Sequence, residues 1–140
     1  MPKYTSVQKD YARYRLNKSK EDLEAAKLLL DNGNYRIANN RAYYSIFHAL
    51  RAMLVLDNFD SSKHSGVIAE FRRRYIKENI FPIEMSKMIG SAFTIRNASD
   101  YDDMFIASKD ETIEQIDNAE CVYGLIEGYI REAIDDSEKG

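Results

Sequence analysis

The stretch that decides the fold is Tyr35-Arg36-Ile37-Ala38-Asn39-Asn40-Arg41-Ala42-Tyr43-Tyr44-Ser45, continued by Ile46-Phe47-His48-Ala49-Leu50-Arg51-Ala52-Met53-Leu54-Val55-Leu56. Ile37, Ala38, Ala42, Ile46, Leu50, Met53 and Leu54 recur at helical spacing and give a broad apolar surface. No acid interrupts the run, yet it carries Arg36, Arg41, Arg51 and His48 amid Tyr43, Tyr44 and Phe47. A core helix with that much positive and aromatic chemistry predicts a helical bundle that keeps a polar cleft inside, facing an anionic partner.

Working outward, a helix is expected on the N-terminal side over about 6–32. Ala12, Leu16, Leu23, Ala26 and Leu30 share one of its faces, and Gly33 suits the left-handed position that ends it. On the C-terminal side the polar cluster 57–62 closes the decisive helix, which spans about 35–56. A shorter helix over about 64–78 turns Val67, Ile68, Phe71 and Tyr75 inward, with Arg72, Arg73 and Arg74 around its other sides. Pro82 fits the first turn of a fourth helix carrying Met85, Met88, Ile89, Ala92 and Phe93, which leads directly into Arg96. Ser108-Lys109-Asp110-Glu111 reads as a capping box opening a fifth, with Ile113, Ile116, Ala119, Tyr123, Ile126 and Ile130 on one face. The fold class expected is all-α: an up-and-down bundle of four long helices plus a shorter one, as a single domain over 1–140 with its core at about 6–134.

Composition agrees with that class. Of 140 residues, 44% are hydrophobic and 31% charged, with two prolines and six glycines, so breakers are scarce. The single cysteine, Cys121, excludes an internal disulfide framework and a cysteine-based zinc site, and reads as a packing thiol. The opening Met-Pro-Lys-Tyr-Thr-Ser lacks the apolar core of a signal peptide, and no segment is apolar enough to span a membrane, so a soluble cytoplasmic protein is expected. Charge is uneven: residues 1–98 hold 17 Lys/Arg against 10 Asp/Glu, whereas residues 99–140 hold 3 against 13. That asymmetry fits either a nucleic-acid-facing part beside an acidic part, or two solvated faces that partly neutralise each other.

Arg41, Tyr44, His48 and Arg51 lie three or four apart, on one stripe of the second helix. Such a stripe can hold a phosphate beside a titratable imidazole, or simply line a bundle interface. Lys63-His64-Ser65-Gly66 falls at a helix N-terminus, where backbone N–H groups and a lysine suit an anion, although such loops also serve as plain caps. The two histidines lack the spacing of a helical metal pair, so neither a metal nor another cofactor is expected. Arg96 and Asp100, four apart, would form a helical ion pair. Alternatively, Arg96 braces a phosphate while Asn97, Asp100 and Tyr101 crowd behind it.

Three strings in this order, Asn40–Ala49, Lys63–Gly66 and Arg96-Asn97-Ala98-Ser99-Asp100-Tyr101, resemble the HEPN domain (higher eukaryotes and prokaryotes nucleotide-binding), above all its small stand-alone prokaryotic members. The likeness covers roughly residues 10–130. It implies a helical bundle that dimerises, often a metal-independent ribonuclease, and often paired with a small nucleotidyltransferase as antitoxin. The family signature is an Arg followed after four to six residues by a His, with two copies meeting at the dimer cleft. The 2′-hydroxyl of RNA then attacks its own neighbouring phosphate. Arg96 matches the Arg, but positions 101, 102 and 103 are Tyr, Asp and Asp. A tyrosine exchanges protons near neutral pH far less readily than a histidine. Tyr101 could still donate a hydrogen bond to a phosphate or leaving oxygen, and the resemblance makes it a candidate acceptor for nucleotide transfer by a partner; apart from the resemblance, His48 is a candidate for the missing imidazole if it points into the same cleft.

Three readings follow. The first is a toxin-like protein acting on RNA as a homodimer, with Arg96, Tyr101, Asp100 and His48 catalytic and Arg41, Tyr44, Arg51, Lys63, His64 and Asn97 holding nucleotide or phosphate. The second is a non-catalytic nucleotide-binding or partner module. The third is a dimeric helical scaffold.

Overall fold

A computed structural model describes residues 3–139; Met1, Pro2 and Gly140 of the expected 1–140 domain lie outside the described residues. Five α-helices follow one another: α1 (Ser6–Asp31), α2 (Tyr35–Val55), α3 (His64–Phe71), α4 (Ile83–Tyr101) and α5 (Lys109–Lys139). A π-helical turn, Arg72–Ile76, extends α3. No strand occurs among the described residues, and the four long helices plus one short helix match the all-α expectation.

Helix α2 is the centre of the bundle, packing against α1, α3, α4 and α5. Leu50, Met53 and Leu54 are fully buried in it beside Ala42, Ala49 and Ala52. Each large apolar side chain buried in this way contributes about 1.5–3 kcal/mol, while the alanines let neighbouring backbones approach. Gly33 turns the chain between α1 and α2 with φ +77° and reverses its direction within three residues. The α1–α2 pair is the most extensive helix contact. Its seam is partly polar: Ser19 Oγ donates to the Ser45 carbonyl at 2.6 Å, and both serines are fully buried. Two small residues facing each other at that point bring the helices close.

The ends of α1 and α2 are tied together. Thr5 and Gln8 form a complete capping box, and Gln8 Nε2 continues to Asn58 Oδ1 at 2.9 Å. At α5, Ser108 Oγ accepts from the Glu111 N–H at 3.1 Å, as the capping pattern predicts. Pro82 caps α4 rather than lying within its first turn. In the π turn, Arg72 reaches α4 through Ser86 Oγ at 2.9 Å. Arg73 and Arg74 both grip Glu70, and their hydrogen bonds draw its carboxyl down to about 2.

Three expectations of burial are corrected as well. Ile37, placed on the apolar surface of α2, lies exposed, because the buried side of that turn is taken by Ala38 and Asn39. Ile113 is exposed near the start of α5, where Thr112, Gln115 and Ile116 take the buried positions. Cys121 is exposed on α5 rather than packed, since the inward positions there are Ala119 and Val122. No helix is long and apolar enough to cross a membrane among the described residues.

Candidate functional site

Arg96 lies near the C-terminal end of α4, against the aromatic stripe of α2. Its Nη2 donates to the Tyr44 hydroxyl at 3.2 Å, and its Nε lies 3.0 Å from Asp100 Oδ2. The guanidinium carbon sits 5.5 Å from the Tyr43 ring centre and 5.7 Å from that of Tyr44. Nη2 is thus hydrogen-bonded, Nε is ion-paired with Asp100 but makes no hydrogen bond among the described residues, and two aromatic rings flank the guanidinium. Nη1 has only a 3.5 Å contact, to Asn97 Oδ1. Asp100 also accepts from Asn40 Nδ2 at 3.4 Å, which joins the start of α2 to the end of α4.

The two imidazoles occupy different surroundings. His64, the first residue of α3, stacks on Phe47 with ring centres 4.1 Å apart. Its Nδ1 shares a 2.6 Å hydrogen bond with the Tyr43 hydroxyl, the same tyrosine whose ring faces Arg96. Burial lowers the His64 pKa, and the Arg96 and Arg51 charges lower it further. Burial also raises the Tyr43 phenol well above its ordinary value, so the hydroxyl keeps its proton. His48 lies one turn along α2 from Tyr44, with ring centres 6.1 Å apart. Its Nε2 is 3.4 Å from Asp22 Oδ2. Burial lowers the His48 pKa; Asp22 opposes this, and Arg51, Lys18 and Arg41 reinforce it.

Asp22 also accepts from Arg41 Nη1 at 3.1 Å, while the Arg41 guanidinium carbon stands 5.0 Å from the Tyr44 ring centre. Beyond it a cleft of about 410 Å³ opens between α1 and α2, with Asp22, Arg41, His48 and Arg51 among its lining residues. Arg51 turns to Asp60 Oδ1 at 2.7 Å. The stripe predicted on α2 thus divides: Tyr44 serves Arg96, Arg41 and His48 meet on Asp22, and Arg51 pairs with the loop after the helix.

Tyr101 stands apart from this arrangement. It is 78% exposed and makes no hydrogen bond or ring contact among the described residues. Lys63 is likewise exposed, its backbone N–H bonded to Ser61 Oγ at 3.1 Å. Helix α4 ends at Tyr101 and the chain is extended at Asp102, so positions 102 and 103 leave the helical face that carries Arg96. Among the described residues no three His, Cys, Asp or Glu side chains gather to hold a metal.

Residues 12–129 match the HEPN domain family. The chain belongs to the HEPN family. It is 33% identical to a Thermotoga maritima UPF0332 protein over 85% of this chain and 90% of that one. It is also 33% identical to a Methanocaldococcus jannaschii protein called a "putative toxin", over 69% of this chain and 65% of that one. A Pyrococcus horikoshii UPF0332 protein is 48% identical over 41% of each chain. The chain therefore spans just under two thirds of the Methanocaldococcus relative and nearly all of the Thermotoga one.

Within this HEPN bundle, sequence reading missed Tyr43, Asp22, Asp60 and Arg15 as members of the site. Arg15 was accessible to it. With Ser19 it occupies the same helical face as Ala12, Leu16 and Leu23, and a charge on an apolar stripe marks a paired, buried group. Asp22 and Asp60 carried no local signal, because their partners lie on another element.

Proposed function

We propose that this HEPN protein is a toxin-like, RNA-directed protein that works as a homodimer in the cytoplasm, a single HEPN domain over 1–140 that cleaves RNA without metal. The arrangement of Arg96 carries the reading: a guanidinium held by Tyr44, Asp100 and two aromatic faces, with its Nη1 edge the least engaged. A fixed, permanently charged fork is suited to a phosphate oxygen and to the extra charge that builds on it in the transition state.

In the reaction the 2′-oxygen of a ribose bonds to the adjacent phosphorus as the bond to the 5′-oxygen breaks. The proton leaves the 2′-hydroxyl for a base, and the departing 5′-oxygen takes up another. Arg96 stabilises the phosphorane. His64 supplies the imidazole in place of the absent signature histidine, because it is coupled to Tyr43 beneath Arg96. A phenol hydroxyl can donate or accept, so Tyr43 permits either neutral tautomer of His64. His48, held on Asp22, serves the phosphate-binding side with Arg41.

A second reading, a module paired with a small nucleotidyltransferase antitoxin, is favoured by Tyr101. An exposed phenol without a partner, at the end of the helix bearing Arg96, is open to nucleotide transfer by such an enzyme. The test is cleavage of total RNA in chelator by the purified protein and by Arg96→Ala, with mass spectrometry of Tyr101 after co-expression with a neighbouring nucleotidyltransferase. Cleavage lost in the variant supports the first reading. Equal, negligible cleavage with a nucleotide on Tyr101 supports the second.

A further inference from the structure

Away from Arg96, the α1 side of the cleft presents chemistry that the proposed reaction does not use. Tyr11 and Tyr14, one turn apart on α1, are 51% and 59% exposed, large aromatic surface left open to water. Each has a cation over one face of its ring, which leaves the other face for stacking: the Arg15 guanidinium carbon is 5.5 Å from the Tyr11 centre, and Lys18 Nζ is 5.7 Å from the Tyr14 centre. Both tyrosines line the 410 Å³ cleft together with Arg15, Lys18 and Arg51. They also line a shallower, more open groove of about 590 Å³ with Val7 and Asp10.

Between the two helices, Arg15 and Arg51 form a clamp on a single carboxylate. Arg15 Nη2 is 3.0 Å from Asp60 Oδ2, and Arg51 Nη2 is 2.7 Å from Asp60 Oδ1. Arg15 is itself fixed by a 3.4 Å bond to the Arg51 carbonyl and is 8% exposed. Asp60, by contrast, sits on the loop after α2 with half its side chain in solvent. The cations are the buried parts of the clamp, and the anion is its exposed part. Arg51 Nε, buried, has no hydrogen-bond partner among the described residues, so the clamp is not saturated.

We propose that the α1–α2 cleft binds one nucleotide unit of single-stranded RNA, with the base stacked on Tyr11 and Tyr14 and its phosphate replacing Asp60 between Arg15 and Arg51. The inference rests on the RNA-directed reading and adds a binding subsite to it. Stacking on tyrosine tolerates any base, and a two-arginine clamp reads phosphate rather than sequence, so the subsite holds RNA without choosing its sequence. Asp60 is an internal stand-in for the phosphate and sets a threshold that RNA must exceed.

The experiment measures binding of a fluorescein-labelled, single-stranded ten-nucleotide RNA of mixed sequence, and of its duplex, at several salt concentrations. Wild type, Tyr14→Ala, Asp60→Asn and Arg96→Ala are compared, each checked for fold by circular dichroism. Tyr14→Ala should weaken single-strand binding by about tenfold, the scale of one lost stacking contact. Asp60→Asn should strengthen it at least threefold and steepen its salt dependence, since the phosphate no longer displaces a competing carboxylate and the clamp releases solution counterions instead. The duplex should bind less tightly than the single strand in every variant. If Arg96→Ala alone weakens binding while Tyr14→Ala and Asp60→Asn match wild type, the subsite is overturned and the RNA-directed reading stands. No binding by wild type overturns both. If Tyr14→Ala halves the mass in light scattering but leaves RNA affinity intact, the face is a subunit contact and the proposal fails.

Discussion

Arg96 on α4 and Tyr44 on α2, 52 residues apart in sequence, meet through a 3.2 Å hydrogen bond. That contact, with the ring faces of Tyr43 and Tyr44 beside the guanidinium, makes a defined anion-facing group of an arginine that would otherwise be a helical ion-pair partner of Asp100. Arg96→Ala should lower RNA cleavage by about 100- to 1,000-fold, the scale of one lost transition-state donor. Arg96→Lys should not rescue it, because an ammonium cannot reproduce the fork. Rates from single-turnover cleavage decide this, and a lysine variant near wild-type rate would refute it.

Tyr43→Phe removes the hydroxyl that fixes His64 while leaving the ring under Arg96 in place. The orphaned Nδ1 should shift the tautomer balance of His64, visible in its ¹⁵N chemical shifts, and the cleavage rate should fall. Loss of one such hydrogen bond costs about 1 kcal/mol in stability, so the protein stays folded. Unchanged His64 shifts in the variant would contradict the coupling.

Burial holds both histidines below their ordinary pKa in the native state. The unfolded chain therefore binds protons at higher pH than the native chain does. Stability contributed in this way is complete above about pH 6.5 and declines as pH falls below it. Melting temperature should drop between about pH 7.5 and 5, and the double variant His48→Gln, His64→Gln should flatten that dependence. A wild-type melting temperature constant over this range would count against it. Asp60 and Glu70, held low by their arginines, contribute only at more acid pH.

Ser19→Ala deletes a second donor to the Ser45 carbonyl at a fully buried seam; that oxygen, in the middle of α2, keeps its intrahelical bond. The expected cost is about 0.5–1.5 kcal/mol, the net worth of one hydrogen bond. Ser19→Leu should cost more, because α1 and α2 would have to separate to admit the side chain. Chemical denaturation of the three proteins ranks them, and a leucine variant as stable as wild type would show the seam to be loosely packed.

Much of this was legible in the chain. The limits of α2 agree with those read from apolar periodicity to within a residue, and Gly33 and Ser108 mark the ends expected of them. Val67, Phe71, Met85, Ile89, Ile126 and Ile130 all reach the core, because helical spacing alone decides which face an apolar residue takes. Ile37, Ile113 and Cys121 departed from expectation because the covered side of each helix is set by the elements packed on it and there falls on the adjacent residues Ala38, Thr112 and Val122, which periodicity does not contain.

By itself the sequence determined the helices, their order, the acid-free stripe on α2 and the family strings, all of which are properties of spacing along the chain. Only the tertiary structure decided the pairing of charges and hydrogen bonds: Asp22 between Arg41 and His48, Asp60 between Arg15 and Arg51, Tyr43 with His64, and Tyr101 alone in solvent. The physical reason is range. Helical faces follow from neighbours three and four residues away, whereas an ion pair or hydrogen bond between elements exists only where packing brings distant atoms within about 3 Å.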